Sequence, residues 1–166
     1  MQDSNQKRGS NREELSVSEA AKYLLDECRM VLPGIQALFG FQLIAVFNSA
    51  FHERLRQSDQ YVHLIATALV ACAIALIMAP AALHRRIGPH HVYESFLYTS
   101  SRLLLASMLP LALGISLEFY LIARLIIGGS IYPVLASVTL LALFVFMWFL
   151  VPRRKKRSII SHSTNR

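Results

Sequence analysis

The apolar positions of this chain fall into four long blocks. The first runs from Met30 to Phe47 without a charged residue, directly after Glu27 and Arg29. A run of about 18 or more uncharged, mostly apolar residues is enough to cross a bilayer core of about 30 Å as a helix. Four such blocks predict spans at 31–51, 62–83, 103–123 and 131–151. Pro33 falls in the first turn of the first span, where its missing N–H is not needed. Polar segments separate the spans. The segment 52–61 is short, 84–102 carries the turn signal Gly88-Pro89, and Gly128-Gly129 marks the last turn. Pro152 and the run Arg153 to Arg157 end the fourth span.

Ahead of the first span the period changes. Ser10-x-x-Glu13 and Ser16-x-x-Glu19 are overlapping capping-box patterns. Beyond them Val17, Ala21, Leu24, Cys28 and Val31 recur at helical spacing, with Glu19, Lys22, Asp26 and Arg29 opposite. This pattern predicts an amphipathic helix over 13–30, lying at the membrane surface and feeding the first span. Residues 1–12 are polar and lack aromatic side chains, which predicts a disordered tail. The expected architecture is all-α: a four-transmembrane-helix bundle with an N-terminal amphipathic interfacial helix and a basic tail over 153–166.

Composition sharpens this picture. Charged residues are 16% of the 166, against roughly 25% in soluble domains, and 54% are hydrophobic. The first 30 residues are polar and acidic as well as basic, unlike a secretory signal, so the first span is expected to serve as its own insertion signal. Cys28 and Cys72 form no framework and are expected as free thiols. The net charge of +7 follows membrane topology. Of the 17 Lys and Arg, all but Arg54, Arg56 and Arg124 fall on one side of a four-span hairpin. Basic residues favour the cytoplasmic side, so both termini are expected there. Tyr61 and Tyr132 then mark the outer interface, and Tyr98 and Trp148 the inner one.

Helices in lipid meet through small residues and polar contacts. The second span offers Ala68, Cys72, Ala75, Ala79 and Ala82 on one face; the third offers Ser107, Gly114 and Glu118. These faces are expected to meet. Pro110 should kink the third span, and the fourth, apolar all round, should be the most lipid-exposed. Gln36, Gln42 and Asn48 in the first span are six apart, so they share no single face and are expected to make local hydrogen bonds to neighbouring helices.

The segment Leu24 to Phe39 contains Glu27-x-Arg29-x-x-Leu32-Pro33-Gly34-x-Gln36. Ala79-Pro80-x-x-x-His84-Arg85 closes the second span, and Arg102-Leu103 begins the third. Together these motifs resemble a prokaryotic family of small four-span membrane proteins with no assigned function. In that family an Asn often precedes the Arg-Leu pair; here Ser101 stands in its place. The resemblance covers roughly residues 20–150 and implies a four-helix integral membrane protein, as expected for a bacterial inner membrane.

Candidate chemistry is sparse. Glu27, Arg29, His84, Arg85 and Arg102 should gather at the cytoplasmic ends of the first three spans. They form either an anion or headgroup site, or a rim of topology charges closed by ion pairs. Glu118 is the lone carboxylate inside an apolar block and, with Gln36, the candidate intramembrane polar site. Counted from Arg102 at about 1.5 Å per residue, it lies about 24 Å into a core of about 30 Å, nearer the outer interface than the midplane. It would act as a proton or cation ligand, or as a rim residue paired with Arg124, His63 or water. Arg124, six positions on, points elsewhere on an ideal helix. His84, His90, His91 and Glu94 lack tetrahedral metal spacing. No metal, cofactor, nucleic acid or catalytic constellation is expected. The run Arg153, Arg154, Lys155, Lys156, Arg157 would attract anionic lipid. These features predict a non-enzymatic membrane component, accessory, stress- or lipid-associated. The alternative is an ion or proton-coupled small-solute transporter built from an oligomer.

Overall fold

The computed structural model describes residues 17–87, 94–129 and 131–150, with the backbone alone at a few helix-end positions, His84 among them. The predicted tails at 1–12 and 153–166, the Gly88-Pro89 turn and the histidines at 90 and 91 lie outside these residues. So does the start of the predicted surface helix.

The described chain is helical: α1 (Val17–Val46), α2 (Ser49–Arg54), α3 (Gln57–Ile87), α4 (Glu94–Ile127) and α5 (Tyr132–Val145). A π-helical turn, Phe146–Leu150, follows α5. Four stretches are long and apolar enough to cross a membrane: Lys22–Val46, Gln57–Leu83, Phe96–Ile127 and Tyr132–Leu150. The chain is therefore an all-α, four-helix membrane bundle.

Two boundaries differ from the sequence reading. The predicted surface segment and first span are one uninterrupted helix, and Pro33 lies well inside it. Pro80 and Pro110 are likewise interior to α3 and α4. Proline removes one backbone donor, yet neighbouring helices re-satisfy the freed carbonyls, so spans tolerate it. The second difference is at the far end. α1 stops at Val46, and the residues counted to the end of the first span form a turn and then α2. Asn48 caps that short helix, its Oδ1 accepting from the Ala50 N–H at 3.0 Å. Gly128 has φ of +90°, a conformation that favours glycine, and it closes α4 where the turn was expected.

α3 and α4 share the most extensive contact. Their approach is set by Gly114, where an added Cβ would lie 2.9 Å from Val70 Cγ2 and 3.1 Å from the Ala66 carbonyl oxygen. The pairing of these two spans is as expected, and so is the face of α4, on which Ser107 and Gly114 are buried. The face of α3 is not. Ala68, Cys72, Ala75 and Ala82 are exposed. The buried stripe is Asp59, His63, Ala66, Val70, Ala73, Ile77 and Pro80, alternating by four and three. Both stripes are rich in small residues, but only one carries the polar groups that must leave lipid.

The core joins Leu24, Cys28 and Ile35 of α1 to Val70 and Ile77 of α3. Leu24 and Cys28, counted on the apolar side of a surface helix, thus pack into the bundle. α5 buries only Pro133 among its described residues. Its Ser137 hydroxyl donates to the Ser116 carbonyl at 2.7 Å and ties it to α4.

Candidate functional site

The polar groups of the bundle converge near the end formed by α2 and the α4–α5 turn. Gln42 lies about 6 Å along α1 from Val46, His63 about 9 Å along α3 from Gln57, and Glu118 about 14 Å along α4 from Ile127. Each comes from a different helix, and the antiparallel hairpins bring them to one depth. Glu118 sits toward this end, as the count from Arg102 anticipated.

The three side chains form one cluster. His63 Nδ1 lies 2.9 Å from Glu118 Oε1. Gln42 Nε2 donates to the same oxygen at 3.0 Å. His63 Nε2 donates to the Gln42 backbone carbonyl at 3.1 Å. The His63 side chain is 6% exposed and that of Glu118 17%. Phe51 meets the His63 ring edge to face, with centroids 5.0 Å apart. The carbonyl of His63 accepts from the Thr67 hydroxyl at 2.9 Å.

This geometry fixes a proton count. A carbonyl oxygen only accepts, so His63 Nε2 must carry a hydrogen. The 2.9 Å contact on Nδ1 then holds one more proton. Either an imidazolium donates to a carboxylate, or a protonated carboxyl donates to a neutral ring. Gln42 donates to the same Oε1, which favours the carboxylate and hence the imidazolium. An amide or hydroxyl pair could join these helices as well; a His–Glu pair adds an exchangeable proton.

A second polar group lies beside the first. Arg124 Nη1 donates to Asp59 Oδ1 at 2.8 Å and to the Tyr120 hydroxyl at 2.8 Å. Arg124 therefore serves Asp59 on α3 and does not pair with Glu118, in line with its six-residue offset. Arg54, Arg56 and Arg124, the three basic residues assigned to one side of the membrane, line a common cavity of about 210 Å³ with Asp59.

A larger cavity of about 390 Å³ opens next to the cluster, between α1, α2 and α4. Gln42, Asn48, His63 and Glu118 face it amid apolar walls that include Phe41, Phe51 and Ile122. Gln42 is only 4% exposed, and its Oε1 is buried without a hydrogen-bond partner among the described residues.

The other sequence candidates fall elsewhere. Gln36 is exposed, and Gln42 takes the place assigned to it beside Glu118. Six residues on a helix are 600°, or 240° past whole turns, so the two glutamines cannot share that role. Glu27, Arg29, Arg85 and Arg102 are all exposed. Arg29 reaches Asp26 at 3.5 Å, and Arg102 lies over the Tyr98 ring at 5.1 Å. Each of these two contacts is local, within one helix. The His84 side chain lies outside the described residues. Sequence reasoning missed Asp59 altogether. Its signal was register: Asp59 and His63 continue the stripe through Ala66, Val70 and Ala73.

No curated protein and no solved structure matches this chain. A family model, described as a family of unknown function, matches residues 14–152, a span that takes in all four membrane-crossing helices. The chain belongs to this family of unknown function, DUF6328.

Proposed function

We propose that this chain is a non-enzymatic component of the cytoplasmic membrane that acts through a protonatable binding site buried in the bundle. The Gln42–His63–Glu118 cluster carries this reading. Ionisable groups are costly in a bilayer, and where they occur they mark binding or proton sites. Here a carboxylate and an imidazole from separate helices share a proton beside an open cavity. The Lys and Arg distribution supports cytoplasmic termini, and the basic run Arg153 to Arg157 supports contact with anionic lipid. Proton binding by the purified protein tests the site. At neutral pH the 15N spectrum of the His63 ring should show both nitrogens protonated in wild type and only one in Glu118→Gln. Identical spectra would end this reading.

The cavity beside Glu118 favours one further reading, proton-coupled movement of a small solute by an oligomer. Solute-driven proton flux in liposomes, lost in Glu118→Gln, is its expected outcome; flux unchanged in that variant excludes it.

A further inference from the structure

The cavity beside the cluster has a chemistry of its own. Its volume of about 390 Å³ lies in the range of small-molecule sites, and its lining is mostly apolar with a few convergent polar groups. The polar capacity left over is acceptor capacity. Both contacts to Glu118 fall on Oε1. Its second oxygen takes neither contact among the described residues, and the side chain keeps 17% of its surface. Both ring nitrogens of His63 are engaged, and among the described residues no Lys or Arg lines this cavity. An anion would meet a carboxylate with no free positive partner. A lipid tail would suit the walls but bring no donor to Glu118.

We propose that this cavity binds an amphiphilic primary ammonium, its charged end against Glu118 and its apolar body between Phe41, Phe51 and Ile122. The two phenyl faces suit a cation as well as an apolar body. This rests on the buried-site reading above and names the ligand class for it. Binding is coupled to the shared proton. The His63–Glu118 pair is neutral overall while it holds that proton. Adding a cation leaves a net positive charge away from water, and release of the proton restores neutrality. The other charges nearby do not alter this sign. Asp59 and Arg124 neutralise each other one turn away, beside the Tyr120 hydroxyl. His52 of α2 is exposed and meets Phe51, and α1 offers no titratable group from Gln36 to Asn48.

The test uses the full chain in phosphatidylcholine nanodiscs, with 2-phenylethylammonium followed by calorimetry in buffers of different ionisation enthalpy. Saturable binding with release of about one proton per ligand is expected. Binding should weaken at least about tenfold in Glu118→Gln, the loss expected for one charge-assisted contact. Ala45→Trp, which fills the cavity and spares the cluster, should abolish it. The trimethylated analogue, lacking N–H, should bind more weakly. Competition by phosphatidylethanolamine in the disc would identify a lipid headgroup as the natural source of the ammonium; its absence would identify a free amine. The proposal falls if 3-phenylpropionate binds as tightly, or if binding survives Ala45→Trp. If no ammonium binds while the 15N spectrum of the His63 ring still responds to Glu118→Gln, the ligand class is wrong and the buried site stands. If neither occurs, both fall.

Discussion

Glu118 accepts from two donors on two other helices, and the expected sizes of those contacts differ enough to be separated by measurement. Interhelical hydrogen bonds in membranes average about 0.6 kcal/mol and reach about 1.7. Breaking a buried ion pair by removing one partner costs about 3–5 kcal/mol, because a charge is left behind. Taken as imidazolium and carboxylate, the state that the Gln42 contact favours, His63–Glu118 falls in the second class and Gln42–Glu118 in the first. Reversible unfolding in mixed micelles should give Glu118→Ala a loss of about 3 kcal/mol. A double-mutant cycle with His63→Ala should give a coupling above about 2 kcal/mol. A coupling near 0.6 would mean a neutral ring and a protonated acid. Gln42→Leu should cost less than about 1 kcal/mol, since it removes a donor and also an acceptor that has no partner.

At the scale of the element, Gly114 decides how closely α3 and α4 approach. A methyl there would meet a side chain at 2.9 Å and a backbone oxygen at 3.1 Å, and the second cannot move without moving α3. Gly114→Ala should therefore cost about 1–3 kcal/mol, the usual range for overpacking. Val70→Ala in the same chain should recover only part of it, since the Ala66 carbonyl remains; thermal melts in detergent would show both. Full recovery would mean that side-chain crowding alone sets the approach. The α4 face was readable in advance because Ser107, Gly114 and Glu118 bring a hydroxyl, a glycine and the lone carboxylate of that apolar block to one side of the helix. The α3 face was not, because alanines lie on two of its sides. Composition alone favoured Ala68 to Ala82. The register of Asp59 and His63 pointed to the other stripe, and that signal outweighs the first because an unpaired polar group in lipid costs several kcal/mol while an exposed alanine costs almost nothing. The same limit explains Gln42. Its helix and depth were plain, but which neighbour it meets depends on how α1 leans on α3 and α4, and spacing within one helix does not encode that.

At the scale of the whole molecule, span number was legible because it depends on local apolar length, whereas the outward faces follow from packing. Those faces leave one side of α3 without a partner in a single copy: Ala68, Cys72, Ala75 and Ala82 look away from the bundle. Small residues let helices come close, and this is the stripe on which a second copy would pack if the chain works as an oligomer. Cys72 lies within that stripe and is exposed, while Cys28 is buried in the core, so the two thiols report on different surroundings. A disulfide needs Cα atoms about 4.4–6.8 Å apart, a distance that only close-packed helices reach. Mild oxidation of native membranes should therefore give a dimer on non-reducing gels in wild type and in Cys28→Ser, and none in Cys72→Ser. A chain that stays monomeric under oxidation would place the oligomer contact elsewhere and leave this face to lipid. In that case Cys72→Leu should change stability by less than about 0.5 kcal/mol, the range for surface substitutions. A larger loss without cross-linking would mean that the stripe packs against a different protein.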